Sequence, residues 1–400
     1  MSYPGLALAA VPVFSKPAGL NPPMPRRRLL FSLGLTGLIF ASLHPTGRLN
    51  AQDQPHAPFK SSYRIIDIHA HGALAHPGAV QAQFATMNAA GVDAFVLSLF
   101  DSAGWPSFAG GWSEANLQAW LQLRKQFPQR LIVFGTVDFG RVAREPGFFT
   151  AIVEELSAAA QLGLQGIKIW KNLGMYHRDA AGTLLMIDDP RLGPFWRKCG
   201  ELGLPVLIHT ADPREYWYPN SYTTLQYKMG STGRYHQDPQ VPTWEELIRQ
   251  RNHLLQQYPG TTFIGAHFGS LTTDLDQVAA LLDQHPNFFV ECAARLRFLY
   301  RYHPAALRDF FVKYQDRVLF GSDIFLIQSE ATLADAKAVK TWQDLRTRAY
   351  SDYLEYFETE HYVQVPGGFQ SGWLRLKGLQ LPPAVLEKFY HGNAERLLRR

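Results

Sequence analysis

Cysteine is nearly missing from this chain: Cys199 and Cys292 are the only thiols in 400 residues. One disulfide is the most they could form. Cys199 lies in a helix-like run and Cys292 closes a strand-like one, so both read as buried free thiols. Internal repeats and low-complexity tracts are absent, which excludes a solenoid or an array. A basic surplus is also missing from most of the chain. The formal charge is +5, but residues 1–51 hold Lys16, Arg26, Arg27, Arg28 and Arg48 and no acid. Those five account for the whole excess, and the remainder offers nothing to attract nucleic acid or anionic lipid. An apolar run long enough to span a bilayer comfortably is lacking too, since the stretch from Leu29 ends at Leu43.

That short run has another reading. Three arginines precede it, in Pro25-Arg26-Arg27-Arg28-Leu29-Leu30-Phe31, as in an export signal. Leu49-Asn50-Ala51 offers an imperfect cleavage site. An arginine pair followed by a variable residue and two leucines resembles a twin-arginine signal, which carries proteins folded before export. We therefore expect residues 1–51 to be an export signal, with Met24 the better start, and 52–400 to form one domain. The mature protein would be periplasmic or extracellular, with no membrane association beyond the signal.

From residue 63 onward, short apolar runs alternate with helical patterns. The runs are 64–69, 94–99, 131–137, 166–170, 205–209, 262–267, 287–291 and 317–320. Most are continuously apolar, as parallel strands covered by helices require. Helical periodicity falls at 79–90, 114–126, 148–162, 190–202, 243–257 and 274–285, several ending at Gly or Pro. Eight such units predict an α/β fold, a (β/α)8 TIM barrel, with long loops after strands five and eight. The first loop, 212–242, carries Tyr216, Trp217, Tyr218, Tyr222, Tyr227 and Tyr235. The second, 324–378, holds a helix-like stretch at 350–360. Their aromatics could shape a pocket or simply pack the loops onto the barrel.

The chemistry sits where the runs stop. Asp67-Ile68-His69-Ala70-His71 ends the first; residues i and i+2 of a strand share a face, so two imidazoles point one way. Lys168 ends the fourth run, His209 the fifth, His267 the sixth, and Asp323 follows the eighth. A lone histidine after a strand is ordinarily structural. Four histidines and an aspartate at ordered strand ends point instead to one shared site at the mouth of a barrel. Trp170 and Lys171 could line it. Arg295 and Arg297 read as surface arginines, with anion binding as the other option. Asp138 and Asp101 could serve the site or cap a turn.

This ordered set resembles the amidohydrolase superfamily. The closing Tyr390-His391-Gly392-Asn393-Ala394-Glu395-Arg396-Leu397-Leu398 is similar to the last helix of its family 2 branch. The resemblance implies that His69, His71, His209 and Asp323 hold one divalent metal, Zn²⁺ first and Mn²⁺ or Fe²⁺ next. It implies His267 as acid/base or carbonyl polariser, and Asp323 as the group that takes the proton of an activated water. Asp67 could orient a ligand imidazole from behind or cap a turn. Lys168 would bind a substrate carboxylate or, if carbamylated, bridge a second metal. The expected activity is hydrolysis of a small amide, ester or lactone. The alternatives are non-oxidative decarboxylation of an aromatic or unsaturated acid, and an inactive exported binding barrel. The partner is a small-molecule substrate. Barrel enzymes often form homodimers, yet no residue here specifies an interface.

Overall fold

Short β-rich runs separated by helices can hydrogen-bond side by side only if each helix crosses back, and this sets the architecture. The computed structural model describes residues 57–72, 75–99, 114–218, 235–366 and 373–399, within a unit spanning Ala51–Arg400. The expected export signal with Met24, and Asp101, Tyr222 and Tyr227, lie outside the described residues. No described helix is long and apolar enough to cross a membrane.

Nine parallel strands form one curled sheet. They are β1 (Ile66–His71), β2 (Ala94–Ser98), β3 (Leu131–Gly135), β4 (Gly166–Ile169), β5 (Val206–Ile208), β6 (Phe263–Gly265), β7 (Phe288–Glu291), β8 (Val318–Leu319) and β9 (Ile324–Phe325). Their spatial order is β8-β7-β6-β5-β4-β3-β2-β1-β9. Each of the eight expected runs overlaps one of β1–β8. The two ends of this order belong to one short stretch of chain, 318–325. Ile68 N–H donates to Phe320 O (3.0 Å) and Asp323 N–H to His69 O (2.7 Å), so the last segment lies along the first strand.

Alternate strand residues sort into two apolar clusters. Ile66, Ile68, Ala94, Val96, Ile132, Phe134, Leu207, Ile264 and Leu319 pack together with Ala394 and Leu398 of the closing helix, filling the concave face. Phe95, Leu97, Leu131, Val133, Ile167, Val206, Phe263 and Val290 pack outward against the helices. Burial on both faces explains why the runs read as continuously apolar.

The stretch 324–378 departs from the expected loop. It holds helices Glu330–Ala334 and Ala336–Glu358 and a hairpin of β10 (Tyr362–Pro366) and β11 (Trp373–Lys377). The long helix starts fourteen residues earlier than the aromatic stretch suggested, because Asp335 caps it by accepting from Lys337 N and Ala338 N. Cys199 and Cys292 are both buried free thiols, as read from the sequence.

Candidate metal centre

β1 sets the first two groups. Strict alternation from Ile66 and Ile68 would turn His69 and His71 outward. A register shift between Asp67 and Ala70 resets it: Ala70 joins Ile65 in the outer cluster, and both imidazoles turn to the concave side. Their Nε2 atoms then lie 2.9 Å apart. His69 Nδ1 is 2.9 Å from Glu291 Oε1, and His71 Nδ1 is 3.3 Å from Ser98 O. Burial raises the Glu291 carboxyl, but both of its oxygens already accept from backbone N–H groups, those of His267 and Ala293, and Ser98 O is a carbonyl, so each ring carries its proton at Nδ1. Both Nε2 lone pairs therefore face each other. Asp323 Oδ1 aims at the same point, 3.0 Å from His71 Nε2 and 3.7 Å from His69 Nε2.

Lys168 Nζ relieves only the His69 end of this array, at 2.9 Å from its Nε2, and the facing His71 Nε2 and Asp323 Oδ1 call for a cation among them. Two nitrogens each about 2.1 Å from one ion are about 3.0–3.4 Å apart for ligand angles of about 90–109°, slightly wider than the separation here. The donor set thus fits a divalent metal. Burial holds His69 well below the ordinary histidine range, reinforced by Lys168 and the neighbouring imidazoles. His71 is lowered by burial, with Asp323 acting partly against it. Both rings are neutral, as ligation requires.

A second group adjoins the first. His267 follows β6 in an unusual backbone: His267, Phe268, Gly269 and Ser270 all have φ between 56° and 64°, one turn of left-handed helix. Such a turn costs about 1–2 kcal/mol per non-glycine residue. It is over-determined by its bonds. His267 N–H donates to Glu291 Oε1 (2.8 Å), His267 Nδ1–H to Ala293 O (2.8 Å), Thr272 Oγ1 to His267 O (2.9 Å) and Arg251 Nη1 to Gly269 O (2.7 Å). The result aims His267 Nε2 inward. The His267 ring lies 5.2 Å from that of His69 and 4.6 Å from that of His209. His209 Nε2 is buried without a hydrogen bond, 3.7 Å from Asp212 Oδ2. Burial pushes the His209 imidazole down to about 4.

Three overlapping donor groups emerge among the described residues: His69, His71 and Asp323; His69, His267 and Glu291; His209, Asp212 and His267. The expected quartet is therefore split. His209 falls in the adjoining group, with Asp212 and His267.

Lys168 Nζ lies 2.9 Å from His69 Nε2, fully buried, and burial lowers its ammonium to about 8. Burial alone would raise Asp323, but its neighbours His71, Lys168 and His209 outweigh it and hold the carboxyl below its usual range. Its side chain keeps 21 % exposure, the open side of the centre. Trp170 packs 4.8 Å from His71 with Nε1–H donating to Leu99 O. Lys171 Nζ donates to Asp212 O (3.1 Å) beneath Tyr216 and Tyr235, whose rings also pack on each other.

Several expectations need correction. Arg295 is not a surface arginine: it is 6 % exposed and ion-paired with Asp212, because the turn after β7 folds inward. Asp67 does not touch a ligand ring. It accepts from His69 N and Ser322 N and from the Tyr350 hydroxyl, so it braces backbone. The carboxylate behind His69 is Glu291, which sequence reasoning missed although it ends β7 as a buried charge in an apolar run. Asp212 was missed too. Asp138 caps a turn, accepting from Gly140 N.

With this geometry in view, the comparisons can be read. The family model described as Amidohydrolase matches residues 66–400. Among solved structures, 2,6-dihydroxybenzoate decarboxylase from Rhizobium is similar at 17 % identity and TM-score 0.50, over 84 % of this chain and 99 % of that one. The 4-oxalomesaconate hydratase from Rhodopseudomonas palustris matches at 17 % identity and TM-score 0.50, over 84 % and 95 %. At these identities the likeness concerns the fold. No curated protein matches.

Proposed function

The chain belongs to the amidohydrolase family, whose members are enzymes acting on small molecules and generally using a metal, and from that premise we propose a metal-dependent hydrolase of a small amide, ester or lactone. The observation that carries this is the convergence of His69 Nε2, His71 Nε2 and Asp323 Oδ1 on one point, with Nδ1 of each ring turned to an acceptor. One divalent ion, Zn²⁺ before Mn²⁺ or Fe²⁺, would be held there with His209 completing the set. When bound it supplies the Lewis acidity that makes water nucleophilic near neutral pH.

The protein's own groups divide the remaining work. Asp323, ionised and open on one side, takes the proton of the attacking water and returns it to the leaving group. His267, neutral and with Nδ1–H committed to Ala293, presents Nε2 to water or substrate. Lys168 stays a single-metal residue that faces the substrate as a cation. The scaffold reads as a (β/α)8 barrel: the 318–325 stretch bonds to β7 on one side and β1 on the other.

Decarboxylation is a second reading. Two cations stand beside the centre, Arg295 ion-paired with the Asp212 carboxylate and Lys171 donating only to the Asp212 backbone carbonyl, so one carboxylate faces two positive charges and the surplus suits an acid substrate. A panel of lactones, amides and aryl carboxylic acids, assayed for acid release against CO₂, decides between them. Acid release without CO₂ supports hydrolysis; CO₂ from an aryl acid refutes it. We further propose export by the twin-arginine route. A fusion of residues 24–51 to a reporter that folds in the cytoplasm should leave it only in cells with a working twin-arginine system.

A further inference from the structure

We propose that Glu291 is the positioning residue of this centre, and that it sets the tautomers and aim of the two histidines on either side of it. The metal-affinity part of this proposal rests on the reading above; the tautomer part does not. Glu291 is fully buried at the end of β7. Its Oε1 accepts from His69 Nδ1–H and from His267 N–H, at 2.9 and 2.8 Å. Its Oε2 accepts from Ala293 N–H. One carboxylate thus joins three strand ends. It obliges His69 to carry its proton on Nδ1, which leaves Nε2 as a lone pair toward His71 and Asp323. It also pins the entry to the left-handed turn that carries His267. Its bond to Ala293 N–H braces the turn after β7, whose Ala293 O accepts from His267 Nδ1–H, so the second ring is fixed through the same residue.

The surroundings are shaped for this carboxylate. A Cβ on Gly321 would stand 2.7 Å from Glu291 Oε2 and 3.1 Å from His69 Cβ, so the closing segment carries no side chain there. Every partner of Glu291 is a donor. A glutamine amide keeps the shape but has one acceptor and one donor end. Whichever way it sits, its NH₂ faces a donor: Ala293 N–H in one orientation, His69 Nδ1–H and His267 N–H in the other. Partners of this kind behind a ligating imidazole are worth about 10–100-fold in metal affinity.

The test compares the wild-type protein with Glu291→Gln, titrating metal-free protein with Zn²⁺ alone and recording ¹⁵N-histidine spectra without metal, with His69 assigned by a His69→Gln variant. The expected result is Nδ1–H for His69 in the wild type, a changed tautomer balance in Glu291→Gln, and Zn²⁺ affinity lower by 10–100-fold. Wild-type Zn²⁺ affinity with an unchanged His69 tautomer in Glu291→Gln would overturn the proposal, as would Nε2–H in the wild type. If Glu291→Gln does not fold, the wild-type spectrum alone decides. If the wild type takes up no Zn²⁺, the metal reading fails, while the tautomers still judge Glu291.

Discussion

The Tyr350 hydroxyl donates to Asp67 Oδ2 across 2.7 Å, joining residues 283 positions apart. Tyr350 sits on the long helix after β8, Asp67 on β1, and Gln83 Nε2 donates to the same hydroxyl. Asp67 in turn bonds the backbone of His69 and of Ser322, the neighbour of Asp323. The insertion therefore braces the floor of the candidate centre.

Tyr350→Phe should cost about 1.5–3 kcal/mol of stability, the net value of a hydrogen bond to a charged group. Urea denaturation measures it. Asp67→Ala should cost more, about 2–4 kcal/mol, because it strands two buried N–H groups as well as two hydroxyls.

His209→Ala should lose most of the bound metal. Its Nε2 is buried and unbonded, an arrangement costly to keep unless something is ligated there. Elemental analysis of the purified variant against wild type is the measurement. A variant retaining full metal would confine His209 to a substrate role.

Lys168 tests the number of metals. A single-metal site predicts one ion per chain whether the protein is prepared with or without bicarbonate. Two ions appearing only with bicarbonate would mean that the amine, lowered to about 8 by burial, is carbamylated.

A pH effect far from the centre is expected from Asp352. Burial pushes its carboxyl up from 3.8 to about 7, with Arg348 acting partly against it. The folded protein then keeps a proton that the unfolded chain has released, so this group's contribution to stability is present below about pH 4 and lost as pH rises through about 7. Asp352→Asn should remove that component. Melting temperatures of both proteins from pH 4.5 to 8 would reveal it as a wild-type-minus-variant difference that falls steadily as pH rises towards about 7.

Much of this was legible in the sequence for one reason: hydrophobic runs that end in a polar residue carry both the strand and its function. His69, His71, Lys168, His209, His267 and Asp323 were found that way, and the structure gathers them into adjoining donor groups. Glu291 obeys the same rule and was passed over because a terminal glutamate also reads as a solvated strand end. The facing of His69 and His71 was not legible. It depends on a register shift in β1, and pairing partners are a tertiary property. The inward course of Arg295 and the left-handed turn at His267 are likewise set by contacts with distant residues, not by local pattern.

On the reading proposed above, β1 and the segment after β8 share one cation. Crystals of protein prepared without chelator, measured across the zinc absorption edge, test it most directly. One anomalous peak is expected within about 2.3 Å of His69 Nε2, His71 Nε2 and an Asp323 oxygen. A peak held by other residues, or none there in a protein that is active, would contradict it.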